Sequence, residues 1–248
     1  MRKRVEICCG SVEDAVTAEQ AGADRIEFNQ ALYLGGLTPS IGSLKLVLET
    51  VRIPVVPMVR PRAGGFSYTE TEFHVIMRDV EEMCALPIAG VAFGCLDSEK
   101  RVDVKKNRLI VEKLHRHRKE AVFHRAFDVT PDPFEAMETL IELGVNRVLT
   151  SSQQPTAPAG TELLKQLQQR FGHQIEILAG GGVNASNVQP LMQETGIAQV
   201  HSSCRGWQTD PATIGNVSFG YAEPPHESDY EVVDSQTAAA FVRAAKNG

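Results

Sequence analysis

Short apolar runs alternate with longer amphipathic stretches all along this chain. Eight runs read as strands: VEICC (5–9), RIEFN (25–29), VVPMVRP (55–61), GVAFGCL (90–96), AVFHRAFD (121–128), RVLTSS (147–152), IEILAGGG (175–182) and QVHSSC (199–204). The stretches between them, residues 69–86 and 103–118 being the longest, place apolar residues at i, i+3, i+4 and i+7, which gives a helix one apolar face. An eighth helix is expected at 235–246. The punctuation agrees with this division. Ser11, Asp132 and Asn184 stand where helix N-caps belong, Asp14 sits at the capping-box position after Ser11, and Gly22, Gly144, Gly172 and Gly196 follow helix C-termini.

Eight βα units in 248 residues are what a (β/α)8 TIM barrel needs, whereas a doubly wound sheet of this size more often uses about five or six strands. The expectation is an α/β chain forming one TIM-barrel domain over residues 1–248. Two connections are longer than such barrels require: QALYLGGLTPS (30–40) and residues 205–234. Loops of that length are expected to cover the site or to form an association surface.

Strand alternation decides which side chains face the barrel interior. In VEICC, Val5, Ile7 and Cys9 share one face and Glu6 and Cys8 the other; in RIEFN, Ile26 and Phe28 oppose Glu27 and Asn29. The apolar sets suit the helix layer, so Glu6, Cys8, Glu27 and Asn29 are expected inside, with Val56, Met58 and Arg60 from the third strand and Val122, His124, Ala126 and Asp128 from the fifth. Buried charge is costly unless paired, so Arg60 is expected to balance at least one of the carboxylates. A purely structural ion-pair plug would account for Glu6, Glu27, Arg60 and His124. The functional alternative is favoured because groups at the C-terminal strand ends of this fold carry its chemistry. In that alternative His124 is the general acid or base, Glu27 its partner carboxylate, Arg60 the anchor for an anionic group and Asp128 a fourth catalytic candidate. Asn29, Arg62, Ser152, His201, Ser202 and Arg205 lie at or just past strand ends and are candidate substrate contacts. Gly181 and Gly182, leaving the seventh strand ahead of a helix, expose amides suited to phosphate or carboxylate.

Composition narrows the partners. The chain is 42% hydrophobic and 23% charged with a formal net charge of -6, which argues against nucleic acid or an anionic membrane surface as a partner. No apolar run is long enough to span a bilayer, and the basic start MRKR is not followed by the apolar stretch of a signal peptide. Five cysteines, at 8, 9, 84, 95 and 204, include no C-x-x-C pair and suggest a reduced, cytoplasmic protein. Cys8 and Cys9 invite a soft-metal reading, but neighbouring strand residues point to opposite faces, which favours Cys9 as a core residue. Cys8 stays available to a metal, with His124, His201, Cys95 or Cys204 as completing ligands and no local ligand spacing among them.

Read in order, SVEDAVTAEQAGADRIEFNQALYLGGLTPS, PRAGGFSY, FHRAFD, LTSSQ, AGGGVNASN and VHSS closely resemble the CutC family, a bacterial and animal group named for copper homeostasis. The resemblance spans nearly the whole chain. It implies a TIM barrel, a cytosolic homodimer and a part in copper homeostasis, with copper as the bound ion and Cys8 and Cys9 as the matching metal ligands. Two functions follow as expectations: copper binding, or an enzyme acting on a small anionic substrate through Glu27, Arg60 and His124. A barrel serving as a non-catalytic scaffold is the third and least expected, since a scaffold has no reason to gather ionisable groups at one rim.

Overall fold

A computed structural model describes residues 3–247. Eight parallel strands, β1 (Arg4–Cys9), β2 (Arg25–Phe28), β3 (Val55–Pro57), β4 (Gly90–Phe93), β5 (Glu120–Phe123), β6 (Arg147–Thr150), β7 (Glu176–Ala179) and β8 (Gln199–Ser202), alternate with helices. The helices are α1 (Val12–Gln20), α2 (Ile41–Thr50), α3 (Glu70–Cys84), α4 (Val104–Arg116), α5 (Pro133–Glu142), α6 (Thr161–Phe171), α7 (Val188–Thr195) and α8 (Ser235–Asn247). The strands pair in the order β3-β2-β1-β8-β7-β6-β5-β4. A parallel bridge between Met58 and Ala92, with the Val59 amide donating to the Ala92 carbonyl at 2.8 Å, joins the two ends into a (β/α)8 barrel.

Strand parity holds. Val5, Ile7, Cys9, Ile26 and Phe28 belong to the apolar layer between strands and helices, while Val56, Met58, Ala92 and Val122 form a separate apolar cluster inside the barrel. Local signals build the outer ring as expected at most positions. Ser11 caps α1 by accepting from the Asp14 amide at 3.0 Å, Asp132 caps α5, and Gly22, Gly144 and Gly196 end helices at positive φ. Gly172 caps the C-terminus of α6 as expected, at an ordinary helical φ of -62°. One assignment changes: Asn184 belongs to a turn that precedes α7, whose N-cap is Asn187.

The interior charges pair differently from the expectation. Arg25, not Arg60, is the partner of Glu6, and it also donates to Gln199 Oε1 at 2.8 Å. Arg147, fully buried, bridges Glu120 at 2.7 Å and Glu176 at 3.0 Å. These arginines lie deep in the barrel. Arg60 lies past the end of β3, at the mouth, where its guanidinium donates to the carbonyls of Leu34, Gly36 and Gly64. The fifth strand is also shorter than its apolar pattern. It ends at Phe123, and the chain winds into a 3-10 turn over Arg125–Val129 because His124 Nδ1 accepts the Ala126 amide. Ala126 therefore joins the outer core instead of the interior.

The segment after β8 forms a hairpin of β9 (Arg205–Thr209) and β10 (Asp229–Val233). The Val233 amide donates to Asp14 Oδ1 at 2.7 Å, which ties the hairpin to α1. Tyr221 stacks on Tyr33 of the long 30–40 connection with ring centroids 4.2 Å apart. The two long connections thus meet beside the C-terminal ends of the strands. No helix among the described residues is long and apolar enough to cross a membrane.

Candidate functional site

A cavity of about 330 Å³ opens at the C-terminal ends of the strands, where this fold places its chemistry. Cys8 (β1), Glu27 (β2) and His201 (β8) form one wall, and Glu231, Val232 and Val233 of the hairpin border it. One donor atom from each of Cys8, Glu27 and His201 lies within 4.8 Å of the other two, and all three residues are buried. Adjacent strands explain the convergence. Cys8 is in register with Glu27, and Glu6, two residues before Cys8, is in register with His201.

Each member of this triad is held by a neighbour. His201 Nδ1 is 2.8 Å from Glu6 Oε1, which leaves Nε2 as its free ligand atom. Asn29 Nδ2 donates to Glu27 Oε2 at 2.9 Å and to Cys8 Sγ at 3.3 Å, while the Cys8 thiol donates to Glu27 Oε2 at 3.5 Å. Gly36 makes room for this arrangement: a Cβ there would come within 2.5 Å of Asn29 Oδ1.

Electrostatics separates the carboxylates. Burial alone would raise Glu6, but the Arg25 guanidinium and the bond to His201 outweigh it and hold the carboxyl well below its usual range. Burial pushes Glu27 up, and the nearby Glu6 charge adds to the shift. Burial lowers His201, yet the bond to Glu6 and the charge of Glu27 leave it above its usual value. Burial followed by Glu27 raises the Cys8 thiol well above the ordinary range, so it is protonated until something replaces the proton.

Across the cavity, His124 is pushed down to about 3 by burial and by the Arg60 charge. Its Nδ1 accepts the Ala126 amide, so the neutral ring carries its proton on Nε2, which has no partner among the described residues. The ring packs on Phe66 at 4.9 Å and on Gly94, where a Cβ would approach it to 2.6 Å.

Of the candidates named from sequence, Cys8, Glu27, Asn29, Arg60, His124, Gly181, Gly182, His201, Ser202 and Arg205 all line this cavity. Four do not. Cys9 faces the outer core, with Sγ 3.7 Å from the Ile7 carbonyl, so it cannot share an ion with Cys8. Asp128 ties together the loops after β5 and β6 through Arg125 Nε at 2.7 Å and the Ser151 amide at 3.1 Å. Arg62 pairs with Glu72 and binds the carbonyls of Gly65 and Ser67, which staples its own loop to α3. Ser152 is buried beneath the mouth at a positive φ of 61°. Sequence reasoning passed over Phe66 and the hairpin residues Glu231 to Val233. No strand pattern marks an aromatic in a glycine-rich loop or a segment that folds back over the mouth.

Copper, the ion that the family resemblance implies, can be tested against this donor set. A thiol sulfur and an imidazole nitrogen are suitable soft and borderline ligands, the carboxylate is a harder third donor, and Glu6 fixes the imidazole from behind. These residues would suit one ion at Cys8, and the Cys8–Cys9 pair would not.

Comparison with known proteins agrees with this architecture. The model of the CutC family matches residues 3–206. A CutC family protein of Treponema denticola is 43% identical over 231 residues, covering 92% of this chain and 93% of that one. A crystal structure of the putative copper homeostasis protein CutC from Streptococcus agalactiae superposes with a TM-score of 0.76 at 30% identity, over 81% of this chain and 98% of that one. Phosphoribosyl anthranilate isomerase from Thermotoga maritima, at 16% identity, a TM-score of 0.59 and full coverage of both chains, shares the barrel fold alone. With a family model matching residues 3–206 and a relative 43% identical over 92% of its length, this chain belongs to the CutC family.

Proposed function

We propose that this protein serves copper homeostasis by holding one Cu(I) ion at Cys8 and His201, with Glu27 beside them. The observation that carries the reading is the convergence of three buried donors, with His201 oriented by Glu6. Capture needs a thiolate, and Glu27 Oε2 already accepts the Cys8 thiol hydrogen. As sulfur binds the ion, the Cys8 proton passes to Glu27, which burial has made a better proton acceptor, and from there leaves to solvent. Asn29 Nδ2 then donates to the sulfur and offsets part of its charge. All five cysteines are buried and free, which supports a reducing, cytoplasmic setting. Homodimer formation belongs to the same proposal, and exposed Val217 and Phe219 of the hairpin are the apolar surface that supports it.

The test is anaerobic competition for Cu(I) against a chromophoric chelator. Wild type and Cys9→Ser are expected to withdraw about one ion per chain, while Cys8→Ser and His201→Gln withdraw none at the same chelator concentration. Equal loss in Cys9→Ser, or full retention in Cys8→Ser, would remove the site from the account.

A further inference from the structure

Arg60 is a buried cation without a carboxylate. Only 6% of the residue is exposed, it forms no ion pair among the described residues, its two terminal nitrogens are spent on carbonyl oxygens, and Nε has no partner. Phe66 covers one face of the guanidinium at 5.2 Å. A charge in that setting is costly unless an anion joins it, and none of the described residues supplies one. The other arginines of the cavity are already paired, Arg125 with Asp128 and Arg205 with Glu231.

A second donor-rich pole faces Arg60. In a closed ring of eight strands β3 and β7 lie four places apart, on opposite sides of the mouth. After β7 the chain turns through Gly181 and Gly182 at φ of 96° and 70°. Both glycines and Val183 line the cavity, and none of their three amides has a protein acceptor among the described residues. The turn is fixed from behind: the Ala157 amide donates to the Gly181 carbonyl at 2.8 Å, and Asn187 Nδ2 donates to the Gly182 carbonyl at 2.9 Å. Successive free amides in a positive-φ turn form a nest for a phosphate. Between the poles stands the unpartnered Nε2–H of His124, a neutral donor suited to a hydroxyl or carbonyl oxygen.

From these three features we infer that the cavity binds a small two-ended anion, a phosphate monoester that also carries a carboxylate, with the phosphate on the Gly181–Val183 amides and the carboxylate at Arg60. A volume of about 330 Å³ suits a metabolite-sized molecule. The inference concerns the side of the mouth away from Cys8 and does not depend on copper.

The experiment uses the metal-free full-length protein. Three probes are titrated by calorimetry and by amide NMR: phosphoglycolate, 2-hydroxyethyl phosphate, which lacks the carboxylate, and inorganic phosphate. Saturable shifts of the Gly181, Gly182 and Val183 amides are expected with all three. Phosphoglycolate is expected to bind at least about tenfold more tightly than 2-hydroxyethyl phosphate, the worth of one charge-assisted contact. Arg60→Gln should abolish that advantage while leaving inorganic phosphate unaffected. Absence of saturable shifts at these amides overturns the inference, and so does equal affinity for the two esters in wild type, a result that does not depend on the variant folding. Either failure leaves the copper reading standing, because copper capture is measured separately at Cys8.

Discussion

Replacing Glu6 with glutamine tests how the barrel interior supports the site. The substitution keeps the shape and removes one charge. Glu6 and Arg25 have side chains 3% and 5% exposed, so water cannot take over the lost interaction. Arg25 would then face only neutral acceptors, with Nη1 already lacking a partner. Removing one member of a buried pair costs about 3–5 kcal/mol. With a urea slope of about 3 kcal/mol/M, reasonable for a chain of this length, the unfolding midpoint should fall by about 1–1.7 M at unchanged slope. The double variant Glu6→Gln/Arg25→Met removes the stranded charge and should recover most of the loss, which a double-mutant cycle reads directly. The same substitution takes away the group that fixes His201 Nδ1, so Cu(I) affinity should drop by about 10- to 100-fold. A loss of stability below about 1 kcal/mol, or strict additivity in the cycle, would refute the claim that this pair is a desolvated ionic contact.

Other outcomes follow from the same geometry. Because Cu(I) must displace the Cys8 proton, its apparent affinity should rise by up to about tenfold per pH unit across neutral pH, and a flat profile in a buffered competition assay would contradict thiolate ligation. Burial pushes Cys95 up to about 12 and Cys204 up to about 11 and raises Cys8, Cys9 and Cys84 as well, so iodoacetamide should label native protein slowly and denatured protein fully, as mass spectrometry will show. The Glu6 carboxyl is depressed in the folded state, so its stabilisation is present above the ordinary value of 4.5 and is lost as pH falls below it. His201 is raised, so its contribution is complete below 6.5 and fades as pH rises through the folded value. Urea titrations at stepped pH should show the acid loss in wild type and not in Glu6→Gln. Gly94→Ala would place a methyl 2.6 Å from the His124 ring, and a cost of about 1–3 kcal/mol with displaced His124 resonances is expected by thermal melt and NMR.

Strand alternation in VEICC was enough to separate Cys8 from Cys9, because which face a residue takes is a local property of extended backbone. The same logic placed Glu27 and His124 inside, and position at a strand end added His201. Depth along the barrel axis is not local. Parity groups Arg60 with the interior and so predicts a carboxylate partner, yet Arg60 sits beyond the end of β3, while Arg25 reaches Glu6 and Gln199 from deeper down. Register between strands, which couples residues as distant as Glu6 and His201, depends on the closed ring and leaves no mark on either segment alone. Asp128 failed for a different reason. The apolar rhythm of AVFHRAFD continues past Phe123, but His124 binds the Ala126 amide and turns the backbone into a 3-10 coil, so alternation no longer applies. The hairpin of β9 and β10 was legible only as an overlong connection.

The account turns on a single sulfur at the base of the mouth. Copper K-edge X-ray absorption on protein loaded anaerobically with one Cu(I) per chain would count the sulfur ligands directly. One sulfur with nitrogen or oxygen neighbours, lost in Cys8→Ser and unchanged in Cys9→Ser, is the predicted result; two sulfurs per copper, or a spectrum indifferent to Cys8→Ser, would contradict it.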